Sequence, residues 1–247
     1  MALKTMVFID GSWIFHNKSE IMSAFNDPDF KISYQSIPEL IARHLSGHTN
    51  LAVDIVRTCF FGAIPINKPN FDPAAQNAFY EYLQKECRFE VEIYEIDFKN
   101  QPAYSPQEKC VDIGPSTSMM YYSALPSAME IAVLVAGDFD YMPLLRRVRS
   151  MGKRTLLVAL KKLGNVYPTS QKLLYSHDLF DFPPLFLEEH LDEIRLIKEK
   201  RYRSCDTCGT EELTDWSGRY FYCHQCRNRH REETGRDEEE KSDDWNE

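Results

Sequence analysis

The sequence predicts an α/β fold built on a doubly wound parallel sheet, and three observations carry that reading. Strand-like and helix-like patterns alternate along most of the chain. The run 131–136 (IAVLVA) is apolar without alternation, as in a strand buried on both faces. Directly after it, Tyr141, Leu144, Leu145 and Val148 adopt i, i+3, i+4, i+7 spacing, with Arg146, Arg147 and Arg149 on the other side.

The elements follow in order. Residues 6–9 form a short apolar strand ending at Asp10, where Gly11 permits a tight turn and Ser12 is placed to cap a helix carrying Trp13, Phe15 and His16. Residues 26–29 read as a loop. A helix is expected over 36–44, closed by Ser46 and Gly47, and a strand over 51–61. Residues 64–73 read as a proline-bearing connection, 74–86 as a helix with Ala75, Phe79, Tyr82 and Leu83 on one face, and 89–96 as a strand. Residues 97–109 are polar and broken by proline, as surface loops are. Gly114 and Pro115 open a helix running to about residue 123. After the central stretch come a buried strand (155–160), a basic loop (161–167), a short helix (170–176) and a last strand (179–182).

Pro183 and Pro184 mark the expected domain edge, dividing the chain into a domain over 1–185, a connector helix over 186–203, a cysteine module over 204–231 and an acidic, disordered tail over 232–247. With 247 residues and 43% hydrophobic composition, one full α/β domain and a small appendage can be built. No run of about 18 apolar residues appears, which excludes a membrane-spanning helix. Asp10 arrives too early for a signal peptide, so a cytoplasmic protein is expected. The net charge of −9 conceals an arginine-rich stretch just before the acidic tail.

Carboxylates stand at three strand ends or helix starts: Asp10, Asp112, and the pair Asp138 and Asp140. In isolation the pair has a plain explanation, Asp138 as a turn residue and Asp140 as an N-cap ahead of Pro143. In a parallel sheet, however, the loops after successive strands open on one edge, where ligands bind. Four carboxylates gathered there repel one another and call for a cation. Hard ions such as Mg²⁺ or Mn²⁺ accept oxygen ligands and support hydrolysis at phosphorus. The chain offers no GxSxG, Walker A or GxGxxG motif as a competing site.

Cys205-x-x-Cys208 and Cys223-x-x-Cys226 give four thiolates at zinc-ribbon spacing, leaving His224 and His230 spare. A region of about 40 residues has too little core to fold alone, so a structural Zn²⁺ is expected to supply the stability. Arg201, Tyr202, Arg203, Arg219, Tyr220, Phe221, Tyr222, Arg227, Arg229 and Arg231 interleave cations with aromatics. They form either a phosphate- and base-contacting surface or an ordinary packed ribbon with a solvated face. The tail, with Trp245, offers a second possible docking contact for a protein partner.

Four segments, VFIDGSW, KCVDIG, VLVAGDFDYMPLLRRVRSMGK, and Ser170-x-x-Leu173 leading to Asp178-Leu179-Phe180, resemble the NYN domain. This family, also called LabA-like or DUF88, is a branch of the PIN-like nuclease superfamily. The resemblance spans about residues 4 to 185 and is most specific in the GDxDxxPL segment. It implies a PIN-like three-layer α/β/α sandwich with a central parallel sheet. It also implies a metal-dependent ribonuclease with Asp10, Asp112, Asp138 and Asp140 as its acidic site. This chain departs from the family pattern at Trp13, where asparagine is common, at Cys110, where glycine is common, and at Ser118, where another acid often follows. The alternative is a non-cleaving adaptor that binds RNA or protein; a phosphotransferase using an aspartate nucleophile ranks below both. Candidate nucleic-acid contacts are Trp13, by stacking a base or else as a packed indole, with Arg146, Arg149, Lys153, Lys161, Lys162, Arg219 and Arg227.

Overall fold

The computed structural model describes residues 2–24, 30–68, 71–97, 113–163, 165–196, 201–214, 220–226 and 229. The chain divides into two compact units, Met1–Leu196 and Ile197–Glu247.

The first unit is built on a six-stranded, all-parallel sheet in the order β3-β2-β1-β4-β5-β6. Its strands are β1 (Leu3–Asp10), β2 (Val53–Ile66), β3 (Glu90–Asp97), β4 (Ile131–Val135), β5 (Arg154–Ala159) and β6 (Leu185–Phe186). Side chains alternate across the central strands, as the two-residue period demands. Val7, Ile9, Val133, Val135, Leu156 and Val158 join one core cluster, while Met6, Phe8, Ala132, Leu134, Leu157 and Ala159 join the other. Helices cover both faces, giving the three-layer sandwich. On the first side lie α1 (Gly11–His16), α2 (Lys18–Ala24), α3 (Ser36–Thr49) and α4 (Ala74–Lys85), through Ile14, Ile21, Ile41 and Leu83. On the second lie α5 (Ile113–Ala124), α6 (Met142–Ser150) and α7 (Gln171–Leu174), through Met119, Leu145 and Leu173. Among the described residues no helix is long and apolar enough to cross a membrane.

Several expected boundaries move, each for a local reason. Helix α3 runs past Ser46 and Gly47 to Thr49 and ends where Asn50 turns left-handed (φ 56°), donating its N–H to Ser46 O. Strand β2 continues through Pro65 to Ile66 instead of yielding to a connection after 61. β1 ends opposite Phe61, so beyond that point β2 ladders only with β3 on its other side, and the missing proline N–H disrupts nothing on the open side. The last strand is Leu185–Phe186, after the prolines; residues 177–179 form a 3₁₀ turn, and Asp181 closes back on Thr155 through both its N–H and its carboxylate. Among the described residues of 186–203, the expected connector does not run as one continuous helix. A 3₁₀ turn (Leu187–His190) and α8 (Leu191–Ile194) are followed by extended Arg195, bridged to Ile32. Ile194 is buried, and the bonds Ser33 N–H to Ile194 O and Leu196 N–H to Lys31 O hold this segment in the first unit, which ends at Leu196 rather than at Pro184.

The second unit contains an antiparallel hairpin of β7 (Arg201–Ser204) and β8 (Glu211–Thr214). The loops expected over 26–29 and 97–109 and the acidic tail fall largely or wholly outside the described residues.

Candidate functional site: a carboxylate edge and a thiolate cluster

Strand order reverses between β1 and β4: from β1 the chain builds outward through β2 and β3, and from β4 through β5 and β6. Such a switch point leaves a crevice beyond the carboxyl ends of the two strands. Asp10 is the last residue of β1, and Asp138 lies three residues beyond the end of β4.

Asp10 is the N-cap of α1, a role the sequence had suggested for Ser12. Its Oδ1 accepts from Trp13 N at 2.9 Å, and its Oδ2 accepts from the Tyr141 hydroxyl at 2.9 Å. The carboxylate is 3% exposed, and Tyr141 is fully buried. A buried carboxylate of this kind needs several donors to remain charged, and Tyr141 reaches it from just after Asp140. Gly11 is required by contact: a Cβ there would meet the Phe60 ring at 2.3 Å and Phe61 O at 2.6 Å.

Gly137 is equally constrained, because a Cβ would strike the Trp13 indole nitrogen at 2.1 Å. That indole is buried and donates to Pro168 O at 2.7 Å, while Ser170 N donates to Gly137 O at 2.7 Å. Trp13 is therefore a clasp between α1, the end of β4 and the loop after β5, and its ring is not open for a base to stack on. Beyond Gly137, Asp138 caps the 3₁₀ turn Phe139–Tyr141 by accepting from Asp140 N at 3.0 Å. The capping and turn roles read from the sequence are thus exchanged: Asp138 caps, and Asp140 stands exposed.

Asp112 lies outside the described residues. Helix α5 begins directly after it, and Gly114 packs so closely on Phe61, the β2 neighbour of Asp10, that a Cβ would come within 2.9 Å of that ring. Ser118 is half-buried on α5. Asp10, Asp138 and Asp140 share one sheet edge, but among the described residues only the four cysteines bring at least three potential ligand atoms within 4.8 Å of one another. The oxygen donors at this edge suit a hard divalent ion, which would have to draw them closer.

The expected phosphate contacts divide sharply. Arg149 pairs with Asp181 at 2.8 Å, and Asp181 also accepts from Thr155 N at 2.9 Å, at the start of β5. Lys153 Nζ donates to Met129 O at 2.8 Å, ahead of β4. Helix α6 runs back along the sheet, so both cations lie at its amino edge, opposite the acids. Arg146 is exposed on α6, and Arg219 and Arg227 are not among the described residues. The sequence reading missed Tyr141, taken only as part of an apolar stripe although a buried tyrosine hydroxyl requires a partner. It also missed Phe139 and Lys172, whose ammonium lies 5.2 Å from the Phe139 ring centroid.

In the second unit Cys205, Cys208, Cys223 and Cys226 place their sulfurs within 4.8 Å of one another. The first knuckle is formed by Cys205 N–H to Thr210 O, and Gly209 N–H to Cys205 O with Gly209 at φ 73°. Asp206, in the first knuckle, exchanges bonds with Phe221 just ahead of Cys223, donating N–H to Phe221 O and accepting Phe221 N–H at 2.5 Å. The Cys208–Cys223 sulfur separation of 3.5 Å is far from a disulfide bond. It is close to the roughly 3.8 Å edge of a tetrahedron with Zn–S of about 2.3 Å. Burial raises the Cys205 thiol, but the amides of Cys223, Cys208 and Thr207 outweigh it and bring it down to about 6. Cys226 is driven up to about 12 by the Cys208 side chain and by burial. Crowded thiols divide charge in this way until a cation neutralises them, and the cluster is compatible with zinc.

A family model described as the NYN domain matches residues 4–180. No curated protein matches the chain. Among solved structures, a protein of unknown function from Vibrio parahaemolyticus matches with a TM-score of 0.52 at 17% identity, over 79% of this chain and 97% of that one. It shares the fold of this chain.

Proposed function

Because this chain belongs to the NYN domain family, a branch of the PIN-like nucleases that act on RNA, we propose that it is a metal-dependent ribonuclease. The observation that carries this reading is the placement of Asp10 at the carboxyl end of β1 and Asp138 just beyond that of the adjacent parallel β4, at the switch point, with Tyr141 tying Asp10 to the Asp138–Asp140 turn. Asp10, Asp112, Asp138 and Asp140 would hold Mg²⁺ or Mn²⁺, which when bound supplies Lewis-acid polarisation of the phosphodiester and lowers the pKa of water. Water adds its oxygen to phosphorus, the phosphorus–oxygen ester bond breaks, and the departing oxygen takes a proton. Within this scheme Tyr141 and Trp13 N fix the two Asp10 oxygens, and Asp138 fixes the turn that presents Asp140. The cysteine unit, holding zinc, would assist RNA or partner binding.

A second reading, a non-cleaving RNA- or protein-binding adaptor, is favoured by one observation: the described carboxylates are not drawn together as the cysteines are. Labelled RNA separates the two. With Mg²⁺ or Mn²⁺ added, the protein should cleave RNA; without added metal, or as Asp138→Asn, it should not. Intact RNA in every metal favours the adaptor, and equal cleavage by Asp138→Asn exposes a contaminating nuclease.

A further inference from the structure

We infer that Phe139 and Lys172 form a stacking and phosphate-contacting platform for single-stranded RNA beside the acidic edge, a subsite that deepens the ribonuclease reading and rests on it. Phe139 lies between Asp138 and Asp140 in sequence, yet its ring is 45% exposed, while Tyr141 two residues on is buried. The turn that carries it is held by the Asp138 cap, and Tyr141 is held by Asp10, so the exposed ring sits on an anchored backbone. Lys172 approaches it from α7, whose start is fixed by Ser170 N–H to Gly137 O at 2.7 Å.

The same pairing recurs in the preceding loop, where Lys162 lies 5.4 Å from the centroid of the exposed Tyr167. Tyr175, 70% exposed, follows Lys172 by three residues at the end of α7 and so shares its side of that helix. An exposed ring paired with an ammonium group matches a nucleotide, whose base has a π-face and whose phosphate is anionic. It matches a single strand in particular, because the bases of a duplex already stack on one another. The lysines also offset the negative field of Asp138 and Asp140, which by themselves would repel a phosphodiester.

The test is fluorescence anisotropy with the full chain and a labelled 12-nucleotide single-stranded RNA, beside an RNA hairpin of equal length, with no Mg²⁺ or Mn²⁺ added. Phe139→Ala should weaken single-strand binding about tenfold and hairpin binding far less. Phe139→Trp should restore it. Lys172→Ala should lower the slope of log K against log salt by about 0.7 for the single strand. Phe139→Ala binding as the wild type does, equal loss on both RNAs, or no RNA binding by the wild type would each overturn the platform. If the wild type cleaves RNA while Phe139→Ala binds unchanged, the platform alone falls. If the platform variants lose binding while no metal supports cleavage, the nuclease reading alone falls.

Discussion

The first unit buries a continuous double layer of Val, Ile, Leu and Phe on both faces of its sheet, whereas the described residues of the second bury little beyond Phe221 and three of four metal-spaced cysteines. One is held by apolar burial, at about 1.5–3 kcal/mol for each large side chain removed from water. The other, among its described residues, has a short hairpin of marginal stability in isolation beside a four-cysteine cluster compatible with zinc. The difference predicts where function and fragility separate. The acidic edge rides on a fold indifferent to thiol chemistry, and the ribbon does not.

The largest effect should come from Cys223→Ser. The expected outcome is loss of bound zinc, measured by metal analysis, and rapid proteolysis confined to the second unit, with the helical circular dichroism of the first preserved. Retained protease resistance in the second unit of this variant would break the comparison. The converse is Leu145→Ala in α6, where a fully buried side chain leaves a cavity. It should destabilise the first unit by about 2–5 kcal/mol in denaturant unfolding and leave zinc content unchanged.

A smaller change tests how far the core supports the site. Tyr141→Phe keeps the ring but removes the donor to Asp10 Oδ2. The expected cost is about 1–3 kcal/mol of stability, since a buried carboxylate oxygen loses a hydrogen-bond donor. Under the proposed function it also lowers kcat for RNA cleavage more than it raises KM. Stability and turnover both equal to wild type would make Tyr141 a simple core residue.

How much of this was legible in the sequence depends on the reach of the interaction involved. Strands 131–135 and 154–159 declared themselves because burial on both faces leaves no polar alternation. The cysteine cluster was legible because its spacing is itself the chemistry. Roles set by distant partners were not. Trp13 could be read as a stacking surface or, somewhat more readily, as a packed indole, and Gly137 and Pro168 close on it as the second; Ser12 was as good a cap by composition as Asp10. In the described part of the segment expected as a helix over 186–203, the thin apolar stripe is served by Ile194 inserting into the first unit, while the backbone of 194 and 196 bonds residues 33 and 31.

Arg149 is the clearest case of such a long-range role and yields the smallest expected effect. Its basic helix suggested phosphate contact, but its guanidinium meets Asp181 at 2.8 Å at the amino edge of the sheet, both side chains partly open to solvent. A partly exposed pair of this kind contributes about 0–1 kcal/mol, less at high salt. Arg149→Ala should therefore lower stability slightly and leave single-strand affinity and its salt slope unchanged, while Lys172→Ala does the reverse. A salt slope reduced by Arg149→Ala would instead mean that RNA tracks around to the amino edge, and the division between the sheet's two ends would have to be redrawn.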